Sequence, residues 1–395
     1  MYQTPFNINS QNFCQLLCIR LLNYFVLLQM PIEKVTIQQF LELAHQYPGI
    51  DVRSPGEYEH AHIPGAYSLP LFSDEERKVV GTAYKQESKQ AAIKKGLKYF
   101  GVKMVKIVEE AERIIEAHHL KKAPERSKEK NVIVHCWRGG MRSAGVAWLL
   151  DLYGFKVYTL TGGYKSFRRW CTEQFNKEYP FKIIGGYTGS GKTEILKMLA
   201  LNGSTIIDLE ALSNHKGSAF GHLGQNPQPT QEMFENKLAI ALSASASADC
   251  IWIEDESQRI GTVSIPNLLY TYIQTMPVYF LEIPFKERLK YIVVSYGLYE
   301  KEKLTESIIR ITKRLGGLET KTALEYLEAG DVFNCFKILL KYYDKYYLKC
   351  LEQKKDKVLF IKSIPLENTD AIKNADMLKT IVSREQMKVS IVNSP

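Results

Sequence analysis

Two stretches carry residues whose types and spacing can do chemistry. In VIVHCWRGGMRS (Val132–Ser143) an apolar run ends in His135 and Cys136, and Arg142 follows the cysteine after five residues. The loop Trp137, Arg138, Gly139, Gly140, Met141 cannot continue a strand, and a helical run begins at once. Cys136 therefore belongs on a strand-to-helix turn, where loop amides and the helix dipole depress a thiol pKa. Arg138 and Arg142 add positive charge, Arg142 has the fork to hold an oxyanion, and Ser143 closes the loop. His-Cys-x5-Arg is the spacing of a cysteine phosphatase. A sulfur or selenium carrier uses the same thiolate in a ring of N–H groups, and the stretch alone leaves both readings open.

The second stretch is GYTGSGKT: Gly186, Tyr187, Thr188, Gly189, Ser190, Gly191, Lys192 and Thr193. A strand-like FKIIG precedes it and a helical EILKMLA follows, the context that G-x-x-x-x-G-K-T requires. Small residues let backbone N–H groups converge on a phosphate, and the helix N-terminus adds its dipole. Lys192 supplies a point charge, and the Thr193 hydroxyl suits Mg²⁺. A metal there wants an acidic residue at the end of another strand. CIWIEDES offers Glu254, Asp255 and Glu256 after an apolar run, Asp255 as first choice and Glu254 as second, with Asp208 a weaker competitor. Such a loop implies a site shaped for a diphosphate; it does not imply hydrolysis.

Near the C-terminus Lys337, Lys341, Lys345 and Lys349 recur every four residues, one stripe on a helix, with Tyr342, Tyr343, Tyr346 and Tyr347 between them. Arg310, Lys313 and Arg314 make a second basic group. Lysines would track phosphates while tyrosines stack on unpaired bases. A solvated lysine face with tyrosines turned into a core fits the pattern equally.

These residues need a scaffold of more than one domain, which 395 residues allow. From Ile32 short β-rich runs alternate with amphipathic helical ones, the signature of α/β layering. Domain limits are expected at 30–175, 181–304 and 305–365, the last helical and basic, with a polar tail at 366–395. FCQLLCIRLLNYFVLLQM (Phe13–Met30) is apolar, but Arg20 interrupts it and no basic residue precedes it. Residues 1–29 read as an N-terminal extension of the kind a mis-assigned start produces, and no membrane helix is expected. Seven cysteines without a CxxC or a zinc spacing indicate a reduced, cytoplasmic protein without structural metal. The net charge of +9 suits a polyanionic partner and equally a merely soluble protein.

DVRSPGEYEHAHIPGAYSLP resembles the opening of a rhodanese domain, through Asp51, Val52, Arg53, Glu57, Tyr58 and His62 to Ala66. VYTLTGGYKSFRRW resembles the segment after the rhodanese active-site helix. Rhodanese-like domain followed by a P-loop NTPase-like α/β domain with a helical C-terminal part is similar to the tRNA 2-selenouridine synthase family. DEERKVVGTAYKQ, DLEALSNHKGSAFG, FEN, EDESQRIG, ITKRLGG and YYDKYYLKCLEQKKDKVLF match that family in order, covering about Met30 to Ile361. His135 stands where some members carry a second cysteine. His215, Lys216 and Ser218 lie in a family stretch, with a role near the diphosphate or a structural one.

The resemblance implies conversion of wobble 2-thiouridine in tRNA to 2-selenouridine through an S-geranyl intermediate, with geranyl diphosphate and selenophosphate as co-substrates. It implies Cys136 and Arg142 for selenium, the P-loop for diphosphate with Mg²⁺ beside it, and a selenophosphate-producing enzyme as a further partner. The rivals are a cysteine phosphatase fused to a nucleotide-binding regulator, an NTP-driven kinase or ATPase with a sulfur-sensing domain, and a non-catalytic RNA-binding protein.

Overall fold

The structure is a computed structural model and describes residues 32–122, 129–354 and 358–392. The extension expected at 1–29 lies outside the described residues. The chain divides into two compact units at Trp170/Cys171.

The first unit is built on five parallel strands: β1 Glu33–Val35, β2 Gly49–Asp51, β3 Tyr67–Ser68, β4 Asn131–His135 and β5 Lys156–Leu160, in the order β1-β5-β4-β2-β3. Both faces of the sheet are covered by helices. That is why β4 is a run of apolar residues rather than an alternation, with Val132, Ile133 and Val134 fully buried. Three helices, Asp74–Gln86, Lys89–Gly101 and Met104–Lys122, fill the stretch before β4. Ser73 and Glu76 form a capping box at the first of them. Phe100, Ile107, Ala111 and Ile115 pack with Val146 and Leu150 of the helix Met141–Leu152, which leads away from Cys136.

The second unit has β6 Phe181–Gly186, β7 Thr205–Ile207, β8 Ile251–Glu254, the small antiparallel pair β9 Arg259–Ile260 and β10 Val263–Ser264, β11 Val278–Glu282 and β12 Ile361–Pro365. Its main sheet is parallel in the order β12-β11-β6-β8-β7. Strand order reverses at β6, and the crevice at the carboxyl end of such a strand is where α/β sheets bind ligands. The P-loop starts there.

Two expectations change. Residues 305–365 are not helical throughout: Ile361–Pro365 is an edge strand paired with β11, Val278 opposite Ile361. Nor is the stretch after Leu366 a mere polar tail. The helix Ala371–Val392 lays Ala375, Leu378 and Val382 against Ile195, Leu196 and Leu199 of the P-loop helix. Those three positions recur at helical spacing inside a polar composition, and spacing rather than composition decided. Among the described residues no helix is long and apolar enough to cross a membrane.

Candidate functional site

Cys136 follows β4 directly and is buried, while Arg138, Gly139, Gly140 and Met141 around it are exposed. Burial alone would push its thiol pKa up. The Ser143 hydroxyl and the amides of Ser143, Gly140 and Arg138 outweigh it and hold the thiol below its ordinary value. Ser143 Oγ lies 3.3 Å from the sulfur and 3.1 Å from the Gly140 carbonyl. Its single proton has two acceptors, and a thiolate is the stronger one.

The loop is aimed from behind. Tyr164 N–H donates to the Cys136 carbonyl at 2.8 Å and Lys165 N–H to the Trp137 carbonyl at 2.9 Å. In a planar trans peptide a carbonyl tied backward turns the next N–H forward, here that of Arg138 toward the sulfur. Gly163 makes this approach possible, because a Cβ there would stand 2.3 Å from the Cys136 oxygen. Ser143→Ala is expected to slow iodoacetamide alkylation of Cys136 about tenfold at pH 7, since a bond to a charged group is worth ~1.5–3 kcal/mol. A pH–rate profile superimposing on that of the parent would remove the hydroxyl from this role.

Arg142 is already placed. Its Nη1 donates to Glu57 Oε2 at 2.7 Å, and it makes no other bond among the described residues. Glu57 also accepts from Ser54 and Arg77. Burial would raise its pKa, but Arg142, the Ser54 amide and Arg77 hold it at about 2. One amino group of the Arg142 fork is thus committed, and its other donors remain for an anion.

In the second unit the loop Gly186–Gly191 is braced by two long helices, Phe285–Tyr296 and Val332–Lys354. Buried Arg288 donates to the Thr188 carbonyl at 3.0 Å, forks onto Asp344 at 2.8 Å twice, and lies 4.8 Å over the Tyr187 ring. Tyr347 accepts the Gly186 N–H at 3.3 Å and donates to Asp255 at 2.6 Å. Lys192 rests with Nζ 3.1 Å from the Gly186 carbonyl, a neutral acceptor that an entering anion would outcompete.

Beside Thr193 three carboxylates converge. Oxygens of Glu210, Glu254 and Glu256 lie within 4.8 Å of one another. The Thr193 hydroxyl is 2.9 Å from Glu210 and 3.4 Å from Glu254. Burial and the neighbouring Glu210 charge raise Glu254 well above the carboxylate range and push Glu256 up to about 8. Glu254 Oε1 is buried and has no hydrogen-bond partner among the described residues. An all-oxygen set with an orphaned, almost fully buried carboxylate oxygen fits a hard divalent cation. Asp255, the first choice from sequence, lies elsewhere: side chains alternate along an extended chain, so Glu254 and Glu256 face the threonine while Asp255 faces Tyr347. Asp208 caps the helix Leu209–Ser213.

Both units match known families. Residues 36–169 match the rhodanese-like domain, and residues 179–368 match the tRNA 2-selenouridine synthase AAA domain. Curated tRNA 2-selenouridine synthases are similar over nearly their whole length. That of Sulfurovum sp. (strain NBC37-1) is 33% identical over 350 residues, 79% of this chain and 91% of the relative. That of Azotobacter vinelandii is 33% identical over 358 residues, 82% and 92% of the two chains. That of Hydrogenovibrio crunogenus is 34% identical over 363 residues, 83% and 94%. The chain belongs to the tRNA 2-selenouridine synthase family.

Lys337, Lys341, Lys345 and Lys349 are all exposed on the helix Val332–Lys354; Arg310, Lys313 and Arg314, at the end of Lys301–Arg310 and in Thr312–Leu315, are exposed as well. The tyrosines divide. Tyr346 is about half exposed, Tyr342 packs at 5.2 Å against Tyr343, and Tyr343 and Tyr347 turn inward. Sequence reasoning named Glu256 without ranking it and missed Glu210, Arg288, Asp344 and the bracing role of Tyr347. The two-residue spacing of Glu254 and Glu256 was the one signal available.

Proposed function

We propose that this protein converts wobble 2-thiouridine of tRNA to 2-selenouridine in two steps, through an S-geranyl intermediate, in the cytoplasm. The observation that carries the reading is a chain of this family with two separate anion cradles, one braced around a lysine and one around an acidified thiol.

In the first step the thiouridine sulfur attacks the allylic carbon of geranyl diphosphate, and the C–O bond pair leaves with diphosphate. Lys192, released from the Gly186 carbonyl, and the loop amides of Gly189–Thr193 take up the charge that develops on the leaving oxygen. Thr193, Glu210, Glu254 and Glu256 would hold Mg²⁺, which supplies further charge neutralisation. In the second step the selenium of selenophosphate attacks C2 of the base and expels geranylthiolate, and water then cleaves the P–Se bond, releasing phosphate and leaving 2-selenouridine. Cys136 and the open donors of Arg142 receive or orient selenophosphate, a tetrahedral anion. The lysine stripe and Arg310, Lys313 and Arg314 are the surface offered to tRNA phosphates, and a selenophosphate-producing enzyme is the natural donor partner.

Nucleoside mass spectrometry on wobble-2-thiouridine tRNA tests the scheme. Geranyl diphosphate alone should yield the S-geranyl nucleoside, and both co-substrates the selenonucleoside. Unchanged thiouridine in every sample, with cleavage of an aryl phosphate, would favour the phosphatase reading instead.

Mg²⁺ at a hundred times its dissociation constant is expected to raise the melting temperature of the second unit by about 5 °C or more. The gain should be larger at pH 8.5 than at pH 6, because protons must leave Glu254 and Glu256 (the latter at about 8) before a cation enters. Glu254→Gln should abolish it. An equal gain in that variant would place the cation elsewhere.

A further inference from the structure

The helix Leu209–Ser213, which carries Glu210, ends on Asn214 in the left-handed conformation (φ 51°) and turns the chain back. The turn that follows is tied down on every side. His215 N–H donates to the Glu210 carbonyl at 3.0 Å, Lys216 N–H to the Gly221 carbonyl at 2.9 Å, and Gly221 N–H to the Ser218 carbonyl at 2.9 Å. Phe220 anchors the far end in the helical core against Tyr296 and Phe336. Gly217, at φ +65°, lies directly against the Glu256 carboxylate, where a Cβ would meet Oε2 at 2.6 Å. Lys216 is therefore held between a residue bonded to Glu210 and a residue touching Glu256.

Its side chain is only partly buried, and it forms no ion pair among the described residues. A lysine whose chain neighbour lies against a carboxylate ordinarily finds one within reach. Here Glu210 and Glu254 are turned toward the Thr193 hydroxyl instead. The Lys216 ammonium rests 5.6 Å from the centre of the Tyr296 ring, a weak hold that an anion would displace. Tyr296 in turn senses Glu210: burial, then that carboxylate, raise its hydroxyl pKa. A cation with no ion pair among the described residues is thus carried on a turn whose backbone touches Glu210 and Glu256, in the unit that holds the P-loop.

We propose that Lys216 is a second cation of the diphosphate site, moving from the Tyr296 face onto the diphosphate group of a bound organic diphosphate and adding to Lys192. The proposal rests on the reading of Gly186–Thr193 as a diphosphate cradle. The turn supplies what such a residue needs, a backbone fixed by hydrogen bonds and a long side chain whose tip is held only weakly, over the Tyr296 ring.

Isothermal titration of the full chain with inorganic pyrophosphate in the presence of Mg²⁺ tests it. Lys216→Met should weaken pyrophosphate binding about tenfold, with an unchanged melting temperature, and Lys216→Arg should stay within about threefold of the parent. Lys192→Ala serves as the reference loss. Equal affinity in the parent and Lys216→Met, with binding lost in Lys192→Ala, would overturn the role of Lys216 and leave the cradle intact. No pyrophosphate binding by the parent would overturn both.

Discussion

Arg53→Met is expected to destabilise the first unit by about 3–5 kcal/mol, because it strands a buried carboxylate. Arg53 is 1% exposed and Asp51 fully buried. The guanidinium spans both Asp51 oxygens at 2.6–3.0 Å and donates once more to the Ala61 carbonyl at 2.7 Å. It also lies 3.9 Å from the Tyr164 ring centre and 5.7 Å from that of Trp137. Burial would raise the Asp51 pKa; nearby His135 and Arg53 outweigh burial and lower it. His135 itself is kept below its ordinary pKa by burial, so at neutral pH the arginine is the effective counter-ion. A carboxylate lowered in the folded state stabilises above its unfolded pKa and loses that contribution as pH falls through the folded value. The first unit should therefore also be acid-labile. Urea unfolding followed by near-UV circular dichroism would show the loss as an earlier first transition. Asp51→Asn combined with Arg53→Met should recover part of it, since no charge is then left unpaired. A midpoint unmoved by Arg53→Met would mean that water reaches this pair. Because Tyr164 also donates to the Cys136 carbonyl, the variant should lose the fast alkylation of Cys136 along with its stability.

Both cradles were legible in the sequence because each is local. Within Val132–Ser143 and Phe181–Thr193 the chain itself supplies strand, turn and helix start, and glycine marks where the backbone must bend or be approached. The braces were not legible, because they arrive from far along the chain. Tyr347 meets Gly186 across 161 positions and Asp255 across 92. Its place within YYDKYY looked like part of an RNA-facing stripe, yet a helix has two faces and this tyrosine is on the inner one. Glu254 against Asp255 is a different case, since the choice turns on one step of side-chain alternation. Glu256, two positions on, would have decided it had the strand been extended past its last apolar residue. The helix Ala371–Val392 was hidden by polar composition, although its three buried positions keep helical spacing. Lys216 could be named from a family stretch, but that it forms no ion pair among the described residues is a property of the folded turn alone.

Two variants should separate the chemistry of the two units. Lys192→Ala is expected to lower formation of the S-geranyl nucleoside by about 10²–10³-fold, the usual effect of deleting one group that stabilises developing charge on a leaving oxygen. Its fold should survive, because among the described residues the one hydrogen bond of Lys192 Nζ is to the Gly186 carbonyl, while Arg288 and Tyr347 hold the loop. Given tRNA that is already geranylated, the same variant should still make 2-selenouridine near the parent rate. Cys136→Ser is expected to do the reverse. Serine keeps the size of the side chain, so Ser143 and the amides of Arg138 and Gly140 stay in place, but an alcohol remains protonated where a thiol would ionise. Geranylation should continue, the S-geranyl nucleoside should accumulate, and the selenonucleoside should fall below detection by mass spectrometry. If Cys136→Ser made selenouridine at the parent rate, the thiolate would be no more than a structural element of the loop. If Lys192→Ala geranylated normally, the P-loop would serve some other phosphate. Reciprocal losses would assign one step to each cradle, as expected when one is built around a point charge for diphosphate and the other around an ionised sulfur for a tetrahedral anion.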